Sequence, residues 1–100
     1  MNRTKIKRKL LEIGVAPNVK GFEYIVRAIE IILEGSNVPI CKGIYLAIAE
    51  EYGVSKENVE RCIRYCCGTI SEEFKKDFKN KQNSYILYRI AFMLEEENER

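Results

Sequence analysis

The order of apolar and polar positions along the chain reads as helices from end to end. From Gly21 to Glu34 the apolar residues Phe22, Ile25, Val26, Ile29, Ile32 and Leu33 recur at spacings of three and four. That is the period of a helix with one buried stripe. Ile6, Leu10 and Ile13 predict a shorter, basic helix over residues 4–13. Gly14 to Lys20, with Pro17 inside, breaks the pattern. Gly35-Ser36-Asn37 stops the long helix, and Pro39 lies just beyond. A third helix is expected over residues 40–52, then the tight turn Gly53-Val54-Ser55. Ser55 suits the N-cap of a fourth helix, over residues 56–69. Residues 71–83 are polar and charged, and predict a short helix over 72–78 followed by a loop. A last helix is expected over residues 84–97. There is no strand-like alternation and no internal repeat. The chain reads as all-α, with five or six helices in a single domain over residues 1–100.

The stretch from Ile48 to Arg64 has the spacing of a helix-turn-helix. Ala49 is small, as a close helix crossing requires. Gly53, four residues later, can take the positive φ that ends the first helix and redirects the chain. Val54 fills the corner, and Val59 with Cys62 or Ile63 anchors the second helix on the first. At about 100° per residue, Val59, Cys62, Ile63 and Cys66 share the core side of the second helix. Opposite them lie Glu57, Arg61, Arg64 and Gly68, flanked by Asn58 and Tyr65 and by Lys56 and Glu60. Two arginines and an amide suit the major groove: arginine pairs with guanine or phosphate, asparagine with adenine. The same residues also fit a solvated face laced by Glu57–Arg61 and Glu60–Arg64 pairs. Candidate DNA-contacting residues are therefore Lys56, Glu57, Asn58, Glu60, Arg61, Arg64 and Tyr65. Lys42, Lys75, Lys76 and Lys79 are further candidates for phosphate contact, with Lys56.

Net charge is only +2, so charge alone does not indicate nucleic acid. Its distribution is uneven, with Arg3, Lys5, Lys7, Arg8 and Lys9 at one end and Glu95, Glu96, Glu97 and Glu99 at the other. Such a chain is expected to carry a polarised field. Histidine is absent, which excludes Ser-His and Cys-His catalysis within the chain. No nucleophile–base pair or carboxylate constellation is visible, so no enzyme is expected. The apolar runs are too short and too often broken by charge for a transmembrane helix, and no signal core follows the N-terminus. A cytoplasmic location without membrane contact is expected.

The cysteines, Cys41, Cys62, Cys66 and Cys67, form no C-x-x-C pair and have no histidine to complete a site. They read as small buried residues in a reducing compartment, with Cys67 pointing elsewhere as a partly exposed thiol. No metal and no cofactor is expected.

Three blocks resemble a known family. They are Ile13-Gly14-Val15 followed by Lys20-Gly21-Phe22-x-Tyr24, then Val59-Glu60-Arg61-x-Ile63-Arg64, then Asn83-Ser84-x-Ile86. Their order and span, over roughly residues 10–95, are similar to the C-terminal DNA-binding effector domain of the master sporulation response regulator of spore-forming Firmicutes. The resemblance implies about six helices and binding to a short operator box, often by tandem copies. It places base and phosphate contacts on Glu57, Asn58, Glu60, Arg61, Arg64 and Tyr65. Only Glu60, Arg61 and Arg64 match the family residues. The family has serine and arginine at the places of Glu57 and Asn58, and histidine at that of Tyr65. Its full-length members carry a phospho-accepting receiver ahead of this domain. Here Met1 leads straight into the basic helix, so a free-standing domain without a receiver is expected.

The expected function is a sequence-specific double-stranded DNA-binding transcriptional regulator. The alternative is a protein-interaction module or antagonist on the same scaffold that pairs with a sporulation regulator. Candidate partners besides DNA are an RNA polymerase sigma factor and a second copy of the chain. The second copy is suggested by the last helix, which is apolar on three sides: Tyr85, Tyr88 and Phe92; Ile86, Ile90 and Met93; Leu87, Ala91 and Leu94.

Overall fold

The structure is a computed structural model and describes residues 2–35, 43–76 and 82–98. Six helices and no strand occur among them: α1 (Arg3–Glu12), α2 (Lys20–Leu33), α3 (Tyr45–Tyr52), α4 (Lys56–Gly68), α5 (Glu72–Lys75) and α6 (Asn83–Asn98). The all-α reading is borne out, with boundaries shifted by a residue at most ends. Two ends differ more. The third helix starts at Tyr45 after a wider, π-type turn at residues 43 and 44, and its expected first residues, 40–42, lie outside the described ones. The short helix ends at Lys75, and residues 77 and 78 also lie outside them.

The fold is built around α2. This helix packs against α4 and α6, and also against α1 and α3. Its stripe places Ile25, Val26, Ala28 and Ile29 almost wholly out of solvent. Burying each large aliphatic side chain is worth ~1.5–3 kcal/mol, whereas a missing N-cap bond costs only ~1. That difference explains why α2 is stable although Val19 supplies no side-chain cap. Ile6 and Leu10 of α1, Ile48 of α3, Ile63 of α4 and Leu87 and Ile90 of α6 complete one continuous core.

Part of the basic charge at the start of the chain is paired within the fold. Asn2 caps α1, its Oδ1 accepting from the backbone N–H of Thr4 at 2.7 Å. The cations of α1 then meet acids brought from elsewhere. Arg3 pairs with Glu30 at 3.1 Å, Lys7 with Glu23 at 3.7 Å, and Lys9 with Glu97 at 2.6 Å. Lys9 is buried, its stem laid on the core and its ammonium held by the acidic end of α6. One cation of the basic start thus meets one acid of the C-terminal run, 88 positions away. No described helix is long and apolar enough to cross a membrane.

Candidate nucleic-acid interface

The turn between α3 and α4 forms as its residue types require. Gly53 has φ 68° and ψ 35°, in the left-handed region. Its N–H and that of Val54 both reach the Ala49 carbonyl, Val54 at 3.0 Å, which closes the end of α3. A Cβ on Gly53 would meet nothing within 4 Å, so the backbone angle and not space selects glycine there. Val54 packs half-buried against the core. Ser55 is extended, and its Oγ accepts from the backbone N–H of Asn58 at 3.0 Å.

Helix α4 then divides into two sides. Val59, Ile63, Cys66 and Cys67 are buried. Glu57, Glu60, Arg61, Arg64, Tyr65 and Gly68 are exposed, with Lys56 and Asn58 half-exposed at the margin. All seven candidate residues thus fall outside the buried stripe. Tyr65 and Arg64 stand well clear of the surface, at 63% and 61% exposure. Of the two carboxylate–arginine pairs expected on this face, Glu60–Arg64 forms at 3.3 Å. No Glu57–Arg61 ion pair occurs among the described residues, and the Arg61 guanidinium is left to the outer face.

Cys67 differs from expectation: it is 4% exposed. Helix α4 is covered by α2 on one side and touched by α6 on another, so its buried arc is wider than a single stripe. Burial, and secondarily the neighbouring thiol, pushes Cys66 up to about 11 and Cys67 up to about 12, from an ordinary 9.0. Both stay protonated at neutral pH and act as small apolar side chains. Cys62, on the core side by periodicity, is only half-buried. No group of three or more Cys, Asp or Glu among the described residues is placed to hold a metal ion.

Three contacts fix α4 on the body, and sequence reasoning missed all of them. Gly21 of α2 lies directly against the Cys62 carbonyl, where a Cβ would also sit 2.5 Å from Cys66 Sγ. Ala49, expected at the crossing of α3 and α4, is buried there, and a further close approach, of α2 to α4, occurs at Gly21. At the far end of α4, Thr69 Oγ1 donates to the Cys66 carbonyl at 2.6 Å and accepts from the Ala16 N–H at 3.0 Å. The Ser71 N–H donates to the Ile13 carbonyl at 2.8 Å. The blocks Ile13-Gly14-Val15 and Lys20-Gly21-Phe22 therefore seat the second helix of the pair, although neither lies in it. The resemblance of these blocks, together with that helix, to one family was the available signal.

The first helix of the pair is tied down too. Arg27 Nε donates to Glu51 Oε2 at 2.8 Å, and Tyr24 meets the Tyr52 ring edge-on with centroids 5.2 Å apart. The Glu51 carboxylate, chiefly, raises the Arg27 pKa. Of the outlying lysines, Lys75 Nζ donates to the Gly68 carbonyl at 2.7 Å and so caps the C-terminus of α4. Lys76 is exposed, and Lys42 and Lys79 lie outside the described residues. Beside the pair, Val19, Lys20, Gly21, Arg61, Cys62 and Tyr65 line an open cleft of about 280 Å³.

A packed helix pair with a left-handed glycine turn, presenting an arginine-bearing outer face, defines an all-helical domain of the helix-turn-helix class. A family model described as Sporulation initiation factor Spo0A C terminal matches residues 6–97. The chain belongs to this family, whose domains bind DNA and regulate transcription in sporulation. It is a family of regulatory domains rather than of enzymes. The resemblance carried by the three sequence blocks is thereby borne out.

Proposed function

We propose that this chain is a sequence-specific regulator that enters the major groove of double-stranded DNA with α4. The observation that carries the reading is the division of α4 into a buried stripe and an exposed polar face, anchored at Gly21, Ser55 and Thr69. Arg61 and Arg64 read or clamp acceptors on base edges and phosphates. Glu60 steers Arg64 and Glu57 accepts from cytosine, while Lys56 and Tyr65 contact the backbone at the margins. One continuous core supports a single domain across the chain.

The test is selection of binding sites from random double-stranded DNA. An enriched motif is expected. No enrichment, with retained binding to a sporulation regulator, would favour a protein-interaction module instead. The exposed Tyr85, Tyr88 and Phe92 on α6 support side-by-side binding of two copies on DNA as part of the main reading.

A further inference from the structure

The Cys62 thiol is one turn beyond Asn58 on α4, and its Sγ–H donates to Asn58 Oδ1 at 3.5 Å. The backbone N–H of Asn58 is already held by Ser55 Oγ at 3.0 Å. The main chain and the side-chain oxygen of this residue are thus both engaged within the protein. Asn58 sits half-exposed in the first turn of α4, where base contacts by a reading helix begin.

An asparagine reads adenine with two opposite groups: its NH₂ donates to N7 and its oxygen accepts from N6–H. An amide whose oxygen is turned back toward a thiol presents its NH₂ outward instead. That group is donor only. In the major groove an outward pair of N–H bonds fits the adjacent acceptors N7 and O6 of guanine, whereas adenine offers one acceptor beside a donor. We infer that Cys62 is a positioning residue for base selection, fixing the Asn58 amide so that it prefers guanine over adenine. The inference rests on the proposed major-groove reading. Cys62 suits the role because it is half-buried: its thiol is near enough to the surface to reach Asn58, yet backed by the contact of its own carbonyl with Gly21. Sulfur is a weak donor, but it has only to choose between two amide orientations related by a 180° turn.

The experiment is site selection on random double-stranded DNA with wild type, Asn58→Ala, Cys62→Ala and Cys62→Ser. Any motif enriched by wild type establishes sequence-specific DNA binding on its own, and its absence would overturn the proposed function before the inference is reached. The position whose preference collapses in Asn58→Ala is the one Asn58 reads, and wild type should prefer guanine there. Cys62→Ala frees the amide and is expected to move that single position toward adenine by about fivefold or more, the lower end of a bidentate discrimination. Cys62→Ser keeps a donor at the same place and should retain guanine. A purely structural role would instead weaken all positions together, which would overturn the inference. So would a preference in Cys62→Ala that matches wild type, or an Asn58→Ala motif unchanged at every position. In the free protein the side-chain NH₂ resonances of Asn58 should shift in Cys62→Ala and return in Cys62→Ser. Identical resonances in all three proteins would show that the thiol does not set the amide.

Discussion

Gly21 of α2 lies so close to the Cys62 carbonyl of α4 that a Cβ there would come within 2.9 Å of the carbonyl carbon. Neither that carbon nor its oxygen can yield, because both belong to the backbone of α4. The position of the exposed arginine face is therefore set by a residue that bears no side chain.

Gly21→Ala is expected to destabilise the domain. Helix propensity alone would favour alanine by about 0.5–1 kcal/mol. Overpacking against backbone costs ~1–3 kcal/mol and outweighs it. Chemical denaturation should show a lower midpoint, and DNA affinity should fall as α4 is pushed outward. A Gly21→Ala protein as stable as wild type would mean that the two helices separate without penalty.

Arg61→Ala and Arg64→Ala should each weaken operator binding by ~1–3 kcal/mol while leaving the melting temperature nearly unchanged. Both side chains lie outside the core, and the Glu60–Arg64 pair is exposed, so its loss costs at most ~1 kcal/mol of stability. Titration by fluorescence anisotropy, paired with thermal melting, separates the two effects. Normal affinity in both variants would remove α4 from the interface.

Gly53→Ala should cost ~1–2 kcal/mol, because a side chain in the left-handed region is strained even where space is open. Gly53→Asn should cost less, since asparagine enters that region more readily. Equal melting temperatures for the two variants would contradict the conformational origin of the effect.

Stability should decline as pH rises above about 9. Burial holds the protons of Cys66 and Cys67 up to about 11 and about 12 in the folded chain, against 9.0 when exposed. Above 9 the unfolded chain releases protons that the folded chain keeps, so unfolding gains with pH until the folded thiols also ionise. Cys66→Ala with Cys67→Ala should flatten this slope, although the cavities lower stability at every pH. Alkylation near pH 8 should reach Cys62 well before Cys66 or Cys67. Equal labelling rates for the three would show that the inner pair is open to solvent.

Tyr85→Ser together with Phe92→Ser should leave a single domain's fold intact but reduce the pairing of copies on DNA. Light scattering with and without operator reads the stoichiometry. One copy per DNA in wild type would leave these exposed rings with no role in assembly.

The sequence determined what is local. Apolar spacing told which side of α2 and α4 is buried, because a helix repeats every 3.6 residues whatever surrounds it. Gly53 and Ser55 wrote the turn, since a left-handed angle and an N-cap each demand particular residue types. The tertiary structure alone decided which helix each side meets. Periodicity offered three apolar sides on α6, and packing buried Ile86, Leu87, Ile90, Ala91 and Leu94 while leaving Tyr85, Tyr88 and Phe92 outside. The Lys9–Glu97 pair, the Gly21–Cys62 contact and the Ala16–Thr69 bond join positions far apart in the chain. Such contacts depend on how whole helices cross, and no local pattern encodes a crossing.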